Sequence, residues 1–285
     1  MREYGAVDAW INPNLGEDLA EDRDVDYLFP HLRELKRRGT TLEQLIDEMD
    51  EAGVERGVLC AGYGDVDDVP WVNEALDKHP ERFAGSIVIH PSTGMDGVRR
   101  LESLVKNHNY RMVRFLAFDT QLPYDSYQYF PFYAKAIELD ILVGVNVGIP
   151  GPKVPGKHQH PLALDEICYY LPELKVVMSH GGDPWAALCV KLMLKWENLY
   201  YMSSAWAPRH IPKEIIHYLN TRGTNKVMWA SDYPLLTLDR CTAEFDKVDF
   251  RSDAHRKAFV RDNALRLFFP EAAAKEAAEA DAAAS

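Results

Sequence analysis

Several short apolar runs in this chain end on, or carry near their ends, side chains that can move a proton or hold an anion. KVVMSH (175–180) ends at His180 and turns at once into GGDPW, with Asp183 and Trp185. KVMWASD (226–232) ends at Asp232 and leads to Tyr233. YRMVRFLAF (110–118) carries Arg114, ILVGVNVG (141–148) carries Asn146, and GAVDAWI (5–11) holds Asp8 and Trp10 and is followed by Asn12. A carboxylate beside an imidazole is a general acid–base pair. A guanidinium is a planar fork for a carboxylate or a developing oxyanion. Polar groups gathered on an apolar frame and left unpaired would cost roughly 2–7 kcal/mol each, so they must pair with one another, with water or with a ligand. The functional reading is a polar pocket built on His180 and Asp232. The plainer reading is a set of loop-capping hydrogen bonds. Arg114 faces a ligand carboxylate or a buried acid, and Asn146 contacts a ligand or ties the backbone. His90, just before Pro91, reads as structural. His158 and His160 lie in GIPGPKVPGKHQHP, a Pro/Gly-rich segment of the kind that covers active sites. Two histidines on such a loop are by themselves a poor metal site.

The elements that must position these residues alternate along the whole chain. Strands are expected at 5–11, 54–62, 84–90, 110–118, 141–148, 175–180, 199–204 and 226–232, each followed by a helical stretch. TLEQLIDEMDEAG (41–53) is one such helix, with Thr41 as its cap and Gly53 as its stop. The strands are short and almost continuously apolar, as when both faces are buried. Strand–helix alternation calls for a parallel sheet, and eight units in 285 residues favour a (β/α)8 TIM barrel over an open doubly wound sheet. In such a barrel chemistry sits at the C-terminal ends of the strands, where these polar residues fall. One barrel is expected over 1–270, with an acidic, aromatic-bearing insertion at about 13–40 that covers the mouth or makes a subunit contact. The Ala/Glu-rich stretch 271–285 is expected to fray or form a lone helix. No GxGxxG or GK[ST] loop follows any strand, so a nucleotide cradle is unsupported.

Composition narrows the function classes. A net charge of −12 argues against nucleic acid, which needs a basic surface. Apolar residues make up 47%, enough for a large core, yet no run reaches the ~18 residues of a membrane span. The first residues show no basic region followed by a long apolar run, so no signal peptide is expected. The four cysteines, Cys60, Cys168, Cys189 and Cys241, form no CxxC pair and read as reduced thiols of a cytoplasmic protein.

FPFYAKAIELDILVGVNVG, HPLALDEICYYLPELKVVMSHGGDPW, ENLYYMSSAW and NKVMWASDYP together resemble the amidohydrolase-2 (amidohydrolase-related) family. That family comprises metal-dependent barrel hydrolases and decarboxylases related to aminocarboxymuconate-semialdehyde decarboxylase, and the resemblance extends from the first strand to the last helix. It implies a divalent ion (zinc, manganese or iron) held by an HxH pair after strand one, a histidine after strand five, another after strand six and an aspartate after strand eight. His180 and Asp232 match the last two and are the metal-ligand candidates. The HxH positions hold Trp10 and Asn12, and the strand-five position holds Asn146. Three of five ligands are therefore absent: tryptophan has no lone pair to give, and asparagine only a neutral carbonyl. The resemblance also implies a homodimer.

The expected function is a hydrolase acting on an ester, lactone or amide carbonyl of a small ring-bearing or acyl carboxylic substrate. Asp232 would act as base, His180 would polarise the carbonyl, and Arg114 would bind carboxylate or oxyanion. Trp10, Asn12, Asn146, Trp185, Tyr233, His158 and His160 are the substrate-binding candidates, with Trp206 and Phe115 adding to an apolar wall. The alternatives are non-oxidative decarboxylation of an aromatic or unsaturated acid, iron-dependent oxygenation of an acyl thioester, and a barrel that binds without catalysis.

Overall fold

Strand residues alternate between two apolar layers, and this alternation closes the sheet. Val7, Ala9, Val58, Ala84, Met112 and Leu142 point inward into the barrel. Their neighbours Leu59, Ile87, Val113, Phe115 and Val143 point outward beneath the helices. The structure, a computed structural model, describes residues 4–16, 27–29, 38–63 and 67–284. Its strands are β1 (Ala6–Ile11), β2 (Val54–Ala61), β3 (Phe83–Val88), β4 (Tyr110–Phe115), β5 (Leu142–Asn146), β6 (Val176–Ser179), β7 (Leu199–Met202) and β8 (Val227–Met228). They lie in sequence order in one eight-stranded sheet, every pair parallel. The bridge Ile11–Tyr233 and the bonds Asn12 N–H to Tyr233 O (2.8 Å) and Asp232 N–H to Trp10 O (3.0 Å) join the last strand to the first. The fold is the expected TIM barrel.

Most strands stop short of the apolar runs that announce them. KVVMSH pairs only to Ser179, and KVMWASD only over Val227–Met228. The ladders end where the chain turns sharply. His180 and Asp232 both take left-handed backbone angles, φ 64° and 62°, which costs a non-glycine residue about 1–2 kcal/mol. The two candidate catalytic residues therefore stand just beyond their strands, on turns the fold holds in place.

The helices follow the amphipathic stretches. Helix α1 (Leu42–Ala52) carries a Thr41 capping box with Gln44 and ends on Gly53 at φ 75°, as its sequence predicts. The segment after β8 holds α2 (Asp253–Lys257), a π-helical turn (Ala258–Asp262) and α3 (Asn263–Phe268). Leu265, Phe268 and Phe269 close the barrel floor against the inner layer. The stretch 271–285, expected to fray or form a lone helix, lies in helix α4 (Pro270–Ala284), which is docked rather than free. Pro270 opens it, as suits a first helical position. Ion pairs from Arg261 to Glu276 (2.8 Å) and from Arg111 to Glu271 (2.8 Å) dock it on the barrel. Its apolar face is too small to be legible, and charge completes the docking.

The expected covering insertion at 13–40 lies largely outside the described residues. Its described ends are tied together: Thr40 N–H donates to Asn14 O (2.7 Å), and the Thr40 hydroxyl meets the Tyr233 hydroxyl at 3.0 Å. All four cysteines are buried free thiols. Among the described residues no helix is long and apolar enough to cross a membrane.

Candidate active site

The mouth of the barrel is shaped first by an irregularity in β1. Its register with β2 shifts between Asp8 and Ile11, so Ala9 and Trp10 both join the inner layer, as a bulge permits. Trp10 thus lies inside the barrel with its indole N–H donated to Asn12 Oδ1 (3.0 Å). The Asn12 amide N–H2 in turn donates to Asp232 Oδ1 (2.7 Å) and to the Tyr233 carbonyl (2.8 Å). The imidazole of His180 meets the Trp10 ring edge-on at 4.7 Å. Its Nδ1 lies 3.7 Å from Asp232 Oδ2. Ser204 holds it from behind: its Oγ accepts the His180 backbone N–H (3.0 Å) and lies 3.1 Å from Nδ1.

Arg114 enters the same space from β4, level with Gly144 on β5. A β-carbon at Gly144 would lie 3.2 Å from Arg114 Cγ and 2.8 Å from Met112 Sδ, so the glycine leaves the arginine its room. The guanidinium carbon sits 4.0 Å from the Trp10 ring centroid, a cation–π contact. Arg114 is 1% exposed, yet its Nε and Nη2 have no hydrogen-bond partner among the described residues.

Burial and this cation set the charge states. Desolvation raises the Asp232 carboxyl to about 7, opposed by the Asn12 hydrogen bond and by Arg114. His180 is pushed down to about 3 by burial and then by Arg114, so the ring is neutral at neutral pH. A second carboxylate, Asp8, lies at 0% exposure and accepts the Ser231 N–H (2.9 Å), the Ser231 hydroxyl and the Trp10 N–H (3.1 Å). Burial raises it to about 7. Neither Asp8 nor Ser204 stood among the expected site residues. The signal for Asp8 was a lone acid inside an otherwise apolar strand; for Ser204 there was none beyond its place after β7.

The remaining candidates divide. Asn146 is buried at the mouth, but its Oδ1 takes the Ser179 hydroxyl (3.0 Å). His160 meets Trp185 at a tilt of 58°, ring centroids 4.5 Å apart, and accepts the Leu162 N–H at Nδ1 (3.3 Å), while His158 sits on the short turn Lys157–Gln159. Tyr233 contributes its carbonyl; its ring packs in the outer layer. Phe115 also points outward, among Tyr129, Phe132 and Tyr133, because the strand alternation that turns Arg114 inward turns its neighbour away. Trp206 closes over Gly181, where a β-carbon would meet its indole nitrogen. His90 caps the turn Pro91–Thr93, accepting the Ser92 N–H.

The donors present do not fit a divalent ion. The indole of Trp10 only donates, and the Asn12 and Asn146 oxygens are neutral carbonyls that already accept from that indole and from Ser179. His180 and one oxygen of Asp232 remain, short of the three or four protein ligands that zinc takes. Arg114 adds a full positive charge to the same space. Among the described residues no group of three or more His, Cys, Asp or Glu could hold an ion.

The fold is thus an eight-stranded parallel barrel with an acid and an imidazole at its mouth. The family model described as Amidohydrolase matches residues 7–269, so the chain belongs to that family. An uncharacterised TIM-barrel protein from Bordetella bronchiseptica is 21% identical, with a TM-score of 0.77 over 92% of this chain and 98% of its own. A dihydroxybenzoic acid decarboxylase from Polaromonas, solved with manganese and 2-nitroresorcinol, is 19% identical, with a TM-score of 0.69 over 93% and 97%. A probable 2-pyrone-4,6-dicarboxylic acid hydrolase from Acinetobacter baumannii, with citric acid bound, is 18% identical, with a TM-score of 0.63 over 93% and 99%. At these identities the likeness is one of fold. No curated protein matches the chain.

Proposed function

We propose that the chain is an acid–base enzyme of small ring-bearing carboxylic acids, and that non-oxidative decarboxylation is its reaction. The carrying observation is Asp232: a buried carboxyl raised to about 7, held by Asn12 beside a neutral His180. Near pH 7 about half of such carboxyls carry a proton. Decarboxylation needs one, because the leaving carboxylate departs as CO2 and the ring carbon must take a proton in exchange. Protonated Asp232 would deliver it, while Trp10 and His180 flank the ring and Arg114 draws its anionic group. The decarboxylases of aromatic acids among the similar folds support this reading over the hydrolysis put first on the sequence.

Hydrolysis of a cyclic ester is the second reading, favoured by the metal-poor donor set and by the hydrolase among the similar folds. There Asp232 must act ionised, as the base that activates water. The two readings therefore demand opposite limbs in the pH profile of kcat/KM. Dihydroxybenzoates and pyrone carboxylates would be assayed for CO2 release and ring opening. Decarboxylation predicts a rate that falls as pH rises through about 7, and hydrolysis one that rises. If neither substrate class is turned over, the proposal fails.

A further inference from the structure

Arg114 is a cation that bonds to no acid among the described residues, although its charge reaches Asp232 and Asp68. It lies in the inner layer of the barrel at 1% exposure, and within 4.0 Å it has the face of Trp10 and no ion pair among the described residues. A fully buried charge of this kind is normally paired, because an unpaired one is strongly destabilising. Two of its nitrogens, Nε and Nη2, are buried with no hydrogen-bond partner among the described residues. They lie on one edge of a guanidinium, the edge that grips a carboxylate with two parallel hydrogen bonds. Gly144 leaves the side chain its space, and Asp232, whose carboxyl its charge lowers, forms no ion pair with it within 4.0 Å but is held by Asn12.

We propose that Arg114 is a fixed cation standing in for a divalent ion, and that it binds the planar anion of the substrate, a carboxylate or a phenolate, without metal. The loss of ligands at Trp10, Asn12 and Asn146 is then of one piece with the arginine. The indole that replaces a ligand supplies the face on which the guanidinium rests, and the two asparagines turn their oxygens away to Trp10 and Ser179. The assignment also states the substrate class: one anionic group on a flat ring, seated beside Trp10 with its ring toward His180. It rests on the reading of the pocket as a site for ring-bearing acids, but not on which reaction follows.

Binding tests it apart from turnover. The full-length protein would be stripped with a chelator and titrated calorimetrically at neutral pH with benzoate, with a phenolate ionised at that pH (2,4-dinitrophenolate) and with the neutral isostere benzamide. Saturable binding of benzoate or phenolate is expected, unchanged within about 2-fold when manganese is restored. Benzamide should bind roughly 30–100-fold more weakly, the scale of a charge-assisted pair. Arg114→Met should lose benzoate by a similar factor and Arg114→Lys by less, because a lysine keeps the charge but not the fork. Equal binding of benzamide overturns the proposal. So does binding abolished by the chelator and recovered with manganese, or no saturable binding of either anion. The wild-type titrations decide the matter even where Arg114→Met fails to fold. Anion binding without CO2 release or ring opening would sink the proposed reaction and leave this assignment standing.

Discussion

Among the described residues two arginines are buried in this barrel, one at each end, and only one of them has acids for partners. Arg261, on the π-helical turn beneath the floor, is 7% exposed and reaches Glu276 through Nη1 and Nη2, both at 2.8 Å. It also reaches Glu55 at 3.2 Å, and only its Nε lacks a partner among the described residues. Those acids hold its charge more firmly than an ordinary arginine's. Arg114, at the mouth, rests on an aromatic face and has two idle donors. The floor is an apolar plug of Phe268 and Phe269 tied off by ion pairs; the mouth holds raised carboxyls, an unprotonated imidazole and left-handed turns. Satisfied groups build stability, whereas unsatisfied ones store interaction for a ligand that arrives later.

The contrast can be broken in several places. The largest effect is expected from Asp232→Asn, which should lower kcat by about 10²–10⁴-fold, as for loss of a general acid or base, while circular dichroism shows the barrel intact; retained turnover would remove Asp232 from the chemistry. At the floor, Phe268→Ala should cost about 3–5 kcal/mol in urea unfolding and leave benzoate affinity untouched. Exchanging the two arginines for methionine gives the sharpest pair. Arg261→Met should destabilise by about 1–3 kcal/mol, because it strips two acids of their partner. Arg114→Met should be neutral or mildly stabilising, because it removes a buried charge that has no ion pair among the described residues. Matching urea midpoints for the two variants would erase the distinction drawn here.

A smaller effect is expected in the pH dependence of stability. Burial raises Asp8 and Asp232 to about 7, so the folded chain keeps protons that the unfolded chain releases. The stabilisation from each is full below about pH 4 and is lost as pH rises toward 7. His180, lowered to about 3, acts the other way: its contribution is present above about pH 6.5 and lost as pH falls. Asp8→Asn should therefore narrow the gap between urea midpoints measured at pH 5 and pH 8, and an unchanged gap would mean Asp8 does not titrate there. The smallest change is expected from Ser204→Ala, about 1 kcal/mol of stability. It should also shift the ring-nitrogen NMR signals of His180, which a purely structural serine would leave in place.

Much of the scaffold was legible because periodicity reports burial directly. Leu42, Leu45 and Met49 mark the buried face of α1, and the apolar runs mark each strand to within a few residues. His180 and Asp232 could be found because a polar residue closing an apolar run has few structural uses. The docked helix over 270–284 was not legible, since alanines carry little pattern and its anchors Arg111 and Arg261 are distant in sequence. Nor were Tyr233 and Phe115, expected in the pocket wall, because aromatic type does not reveal which layer of the barrel a side chain enters.

The sequence by itself determined the barrel, its order of strands and the loss of three metal ligands, since these depend on residue types and on local alternation. Only the tertiary structure decided that Arg114 has no ion pair among the described residues, that Asn12 faces Asp232 and that Asp8 lies behind Ser231. Pairing and desolvation are properties of surroundings, and those surroundings are assembled from strands more than a hundred residues apart.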